Sequence, residues 1–88
     1  MNNLKIKQKP YNMPKIGQIV VYKPTQEDKN YMSNPNTICN SQDLLPAMIV
    51  RIWNENCVNL KVFIDGVQDL WKTSVMLGDG EGSWKPQE

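Results

Sequence analysis

Arg51 and Trp53 stand two residues apart in a largely apolar run, a spacing that puts both side chains on one face of an extended strand. A guanidinium beside an indole combines a forked, permanently charged donor with a flat aromatic surface, the two groups that bind phosphate and stack on a base. Strict alternation adds Ile49 to that face and sends Val50 and Ile52 to the other. Tyr22, Asn59 and Lys61 fall on strands expected to adjoin, and would extend the surface with a hydroxyl, an amide and an ammonium. Such a surface suits a planar anionic ligand such as a nucleotide. The same pair read as plain structure is a cation–π contact on a solvated sheet face.

Other chemistry has less support. The chain has no histidine, which removes the commonest general base and the commonest zinc ligand. Two widely spaced cysteines, Cys39 and Cys57, do not make a zinc site, and free cysteines are usually small buried hydrophobes. The GDGEG run at residues 78–82 lacks the ligand spacing of a calcium loop and the lysine and hydroxyl that close a phosphate loop, so it reads as a surface turn. No acid, base and nucleophile set can be assembled. The expectation is a binding protein, without enzymatic activity, metal or cofactor. Trp53, Trp71 and Trp84 each offer an indole that either fills the core or presents a face and an N–H donor to a ligand; core is expected for one or two of them.

The elements that must position these residues read as β. Residues 18–23 (QIVVYK), rich in β-branched and aromatic side chains, lie between Gly17 and Pro24 and predict a first strand. Residues 45–53 (LPAMIVRIW) predict a second, with Pro46 at its start, where a missing N–H does least harm. Residues 57–64 alternate cleanly, with Val58, Leu60, Val62 and Ile64 on the core face and Cys57, Asn59, Lys61 and Phe63 on the other. Asp65-Gly66 then joins this strand to residues 67–72, and an Asp-Gly link between strand-like runs is the signature of a type I′ hairpin. Thr73-Ser74-Val75 either continues that strand or forms a 3₁₀ turn. Between residues 24 and 43 the chain is polar and irregular, with Thr25, Glu27 and Asp28 suited to cap a short helix over residues 26–32. An excursion this long is a place to look for a lid or binding loop. Hairpin-linked strands with one long insert after the first predict an all-β, mainly antiparallel SH3-like barrel, with an OB-like barrel as the rival.

Eighty-eight residues make one domain, which at this size buries only about 60–65% of the surface its unfolded chain exposes, so oligomerisation would help it. Residues 1–15 carry Lys5, Lys7, Lys9 and Lys15 with no acid, and read as a loose basic arm; residues 16–88 hold six basic and nine acidic side chains and form the barrel domain. That body lacks the basic stripe of a duplex-binding protein, so nucleic acid is disfavoured, with a lysine-arm contact as the weaker alternative. No run approaches the roughly 20 apolar residues of a membrane span, and no apolar leader precedes the domain. The reading is a soluble protein of a reducing cytosol with both thiols free.

Gly17, Ile19, Val20 and Tyr22 form a G-x-I-V-x-Y block, except that here the valine is followed by Val21. After the insert follow Pro46-Ala47, Val50-Arg51, Trp53, Cys57-Val58-Asn59-Leu60, Val62-Phe63, Asp65-Gly66, Trp71, Thr73-Ser74-Val75, Gly82 and Trp84. This pattern, covering nearly all of the chain after Lys15, resembles a family of small SH3-like β-barrel proteins found in phage and prophage genomes. Such proteins include sponges that hold a host's nucleotide immune signal, a cyclic dinucleotide or a cyclic ADP-ribose product, without chemistry. The resemblance therefore implies a homo-oligomer in the host cytoplasm that sequesters a small nucleotide and counteracts anti-phage defence. Arg51 would pair with phosphate, Trp53 or Trp84 would stack on a base, and Asn59, Thr73 and Ser74 would supply hydrogen bonds, with Tyr22, Lys61 and Trp71 completing the surface. A protein-interaction module is the alternative of a different class.

Overall fold

A computed structural model, which describes residues 13–87, contains strand β1 (Ile19–Tyr22), helix α1 (Gln26–Ser33) and strands β2 (Cys39–Asn40), β3 (Leu45–Asn54), β4 (Cys57–Phe63), β5 (Asp65–Gly66), β6 (Asp69–Leu77) and β7 (Ser83–Pro86). β1, β3, β4, β6 and β7 close in that order into a barrel, and β2 pairs with β5 in a separate two-stranded ribbon. This is the expected small all-β, SH3-like barrel with its long insert after the first strand. The alternation of residues 57–64 sets the core. Val58, Leu60, Val62 and Ile64 are all buried, and they meet Val20 and Tyr22 of β1, Leu45, Ala47 and Ile49 of β3, Val75 of β6 and Trp84 of β7. Each fully buried valine, leucine or isoleucine among them contributes about 1.5–3 kcal/mol by leaving water. The seam is made by β7, antiparallel to β1 through Val20↔Pro86, Val21↔Lys85 and Tyr22↔Trp84, and parallel to β6 through Met76↔Ser83 and Leu77↔Trp84.

Several expectations are corrected. Asp65-Gly66 is not a two-residue hairpin turn, because Phe63 pairs with Asp69 and residues 64–68 form the connection. The Ile64 carbonyl accepts from the Gly66 N–H at 2.7 Å, a γ-turn, and Asp65 and Gly66 pair outward with Asn40 and Cys39 of the insert. Gly66 is needed for close approach rather than for positive φ: a Cβ there would collide with the Ile38 carbonyl and lie 2.7 Å from the Cys39 Cα. The strand after it runs over Asp69–Leu77 rather than residues 67–72, so Thr73-Ser74-Val75 continues it. Ile49 does not share a face with Arg51 and Trp53. A register shift between Ile49 and Arg51 reverses the parity of β3, leaving Ile49 in the core and Arg51 and Trp53 outside. Packing begins before Lys15, since Pro14 is buried, and Gly17, at φ 88°, occupies the turn that closes with Gln18 N–H on the Lys15 carbonyl at 3.1 Å. Residues 1–12 of the expected basic arm lie outside the described residues. No helix among the described residues is long and apolar enough to cross a membrane.

The insert folds back onto the barrel instead of standing off as a lid. Thr25 and Asp28 form a capping box: the Asp28 N–H donates to Thr25 Oγ1 at 3.1 Å and the Thr25 N–H to Asp28 Oδ2 at 3.0 Å. Asp28 is buried, and it also accepts from the Tyr22 hydroxyl at 2.6 Å and pairs with the Lys72 ammonium at 2.5 Å. Burial alone would raise the Asp28 carboxyl, but the Lys72 ammonium, the Tyr22 hydroxyl and the Thr25 N–H outweigh it and hold the group below its ordinary value. Burial, reinforced by the hydrogen bond to that carboxylate, raises the Tyr22 phenol far above its usual range. One carboxylate thus fastens α1 to β1 and β6. Met32 and Cys39 pack on the core, and Asn40 Nδ2 donates to Asp65 Oδ2 at 3.1 Å, which secures the other end of the insert.

Candidate functional site

The parity change in β3 is what builds the site. It turns Arg51 outward with Trp53, and the guanidinium carbon lies 4.3 Å from the centroid of the Trp53 ring, within the distance of a cation–π stack. Arg51 pairs across the ladder with Asn59 of β4, and there a second register shift, between Val58 and Leu60, brings residues 73 and 74 of β6 to the same point. Asn59 is consequently buried although it lies on the outer parity of its strand. Its Oδ1 accepts three hydrogen bonds, from Trp53 Nε1 at 2.9 Å, from the Ser74 N–H at 2.8 Å and from Thr73 Oγ1 at 3.1 Å. Ser74 has φ 56°, a left-handed conformation that costs a non-glycine residue about 1–2 kcal/mol and is held here by that amide oxygen.

One row along the barrel, Met48, Lys61 and Trp71 stand side by side on β3, β4 and β6. Trp71 is 62% exposed, and Lys61 is 3.6 Å from Asp69. Phe63 and Met76 are exposed on the flanks of the same face. The result is a sheet surface with two accessible indoles, a guanidinium without an ion-pair partner among the described residues and an ammonium shared with one carboxylate.

Of the residues the sequence singled out, Arg51, Trp53, Asn59, Thr73 and Ser74 form one contiguous cluster, and Lys61 and Trp71 lie beside it. Tyr22 and Trp84 do not belong to it. Both are nearly fully buried core residues; the Tyr22 hydroxyl is engaged by Asp28, and Trp84 Nε1 donates to the Asn56 carbonyl at 3.2 Å. Trp84 therefore has no free face on which a base could stack. Asn59 holds the platform together, since its carbonyl is saturated by the protein. Sequence reasoning did not find Asp28 and Lys72 as a pair, although the Thr25-x-x-Asp28 spacing of a capping box marked the first of them. Among the described residues no group of three histidine, cysteine, aspartate or glutamate side chains is placed to hold a metal ion.

Compared with models of protein families, with curated proteins and with solved structures, the chain matches none.

Proposed function

We propose that this protein is a non-enzymatic binding protein that takes a planar, anionic ligand of the nucleotide class on the outer face of β3, β4 and β6. The observation that carries the reading is the Arg51–Trp53 stack, fixed from behind by Asn59. With one face on the indole, the guanidinium keeps edge donors for a phosphate, and charge-assisted bonds of that kind are among the strongest available to a surface. A base gains about 1–3 kcal/mol from stacking on an aromatic ring, which Trp53 and Trp71 can supply. The resemblance to small phage and prophage barrels extends the proposal: a homo-oligomer in the host cytoplasm that sequesters a cyclic dinucleotide or a cyclic ADP-ribose product and so blunts a defence signal.

The test is native mass spectrometry and calorimetry of the protein against a panel of cyclic dinucleotides and cyclic ADP-ribose products. A stoichiometric, chemically intact ligand is expected. Arg51→Ala should weaken it at least tenfold, since a hydrogen bond to a charged group contributes about 1.5–3 kcal/mol. A wild-type affinity in that variant, or no ligand from the panel, rejects the reading.

A second reading, an adaptor that grips a host or phage protein, is favoured by the exposed Phe63, Trp71 and Met76 beside the stack. Stoichiometric co-purification of one protein partner without nucleotide, abolished by Trp71→Ala, would select it.

A further inference from the structure

A cavity lies at the barrel seam, beside β1 and β7, strands that contribute nothing to the Arg51–Trp53 platform. It has a volume of about 300 Å³, at the small end of ligand pockets. Its base is the outer surface of the seam. Val21 stands opposite Lys85 in the antiparallel ladder, and Lys23, just past the end of β1, follows two residues later and stays paired to β7 through its N–H on the Ser83 carbonyl. Lys23 and Lys85 are therefore diagonal neighbours, about 7–8 Å apart at the backbone. The walls are Asp43 and Leu44, from the end of the insert, and Asp79, from the turn between β6 and β7.

The partners already engaged define what is left for a ligand. The backbone around the cavity is paired with itself: the Lys23 N–H donates to the Ser83 carbonyl at 3.0 Å, the Gly82 N–H to the Lys23 carbonyl at 2.7 Å and the Gly78 N–H to the Trp84 carbonyl at 2.9 Å. The Ser83 hydroxyl is bonded to the Gly80 carbonyl, and Lys85 pairs with Asp79 at 3.3 Å. Among the described residues Lys23 and Asp43 have no ion-pair partner, and Val21 and Leu44 supply the apolar lining of the same cavity. A simple anion entering here would face Asp43 and Asp79, and a simple cation would face Lys23 and Lys85. A molecule carrying both charges around a small apolar group satisfies all three features.

We propose that the seam cavity binds a small zwitterion of the α-amino acid class with a branched apolar side chain. Its carboxylate meets Lys23, its ammonium meets Asp43, and its side chain rests on Val21 and Leu44. The site is independent of the nucleotide reading, so either can fail without the other.

The experiment is an amide-resolved NMR titration of the full chain with L-leucine, N-acetyl-leucine and leucinamide. Saturable shifts at Lys23, Gly78 and Ser83 are expected with leucine. Each capped analogue, lacking one charge, should bind about tenfold more weakly, the scale of one lost charge-assisted contact. Lys23→Met should weaken leucine similarly and leave leucinamide unchanged, and Asp43→Asn should weaken leucine and leave N-acetyl-leucine unchanged. Both positions are exposed, so the variants keep the parent's spectrum elsewhere. No saturable shift up to the solubility of leucine, or equal affinity for leucine and its capped analogues, overturns the proposal.

Discussion

Asn59 concentrates three donors on one oxygen, and its neighbours depend on it in different ways. Trp53 loses its orientation without that oxygen, while Ser74 loses the bond that holds it at φ 56°. Asn59→Leu should therefore destabilise the fold by about 1–3 kcal/mol, the cost of unsatisfied buried donors, as read by urea denaturation. It should also abolish nucleotide binding with Arg51 untouched. Asn59→Asp keeps the acceptor and should restore Trp53 to its wild-type fluorescence maximum. A stable Asn59→Leu protein with unchanged indole emission would remove Asn59 from the platform. The alternation of residues 57–64 made the core residues legible, but it placed Asn59 on the solvent side. Burial of that side chain comes from the two register shifts around it, and such shifts depend on how strands pair, which a local pattern does not encode.

At the scale of elements, helix α1 is held by a charge that titrates. The Asp28 carboxyl has a folded-state pKa below its unfolded value, so its contribution is fully present above about pH 4 and is lost as pH falls through the folded value. The Tyr22 phenol is shifted the other way, so its contribution is present below about pH 10 and declines as pH rises beyond that. Stability measured by denaturant midpoint should show a plateau between these limits. Asp28→Asn should cost about 1.5–3 kcal/mol near neutrality by removing the charge that the Tyr22 hydroxyl and the Lys72 ammonium bond to, and it should flatten the acid limb; an acid limb identical to wild type would show that other carboxylates set it. The helix itself was legible, because Thr25 and Asp28 carry the capping spacing. The Asp65-Gly66 connection was misread for a physical reason: a dipeptide that tolerates a type I′ turn also tolerates a close backbone crossing, and here the insert returns to occupy that place. Long-range pairing overrode the local preference.

For the molecule as a whole, β-barrel architecture followed from composition and strand spacing, whereas the division of the tryptophans did not. Trp84 is sealed in the core by the seam between β1 and β7, while Trp53 and Trp71 stay accessible on the far face. That seam has a further consequence. Because Val20 pairs with Pro86, the first and last strands of the barrel are immediate neighbours, and the backbone is close to a ring with a single gap. The order in which its segments are translated is then not dictated by the fold. A circular permutant that links residue 87 to residue 13 through a glycine-rich bridge and opens between Asn54 and Glu55, both exposed, should melt cooperatively within about 10 °C of the parent, a loss of about 1–2 kcal/mol for a domain of this size. By the same geometry the barrel is a cassette: spliced into a surface loop of another protein, it would receive and return the chain at one edge, and its host would have only a strand-to-strand gap to span.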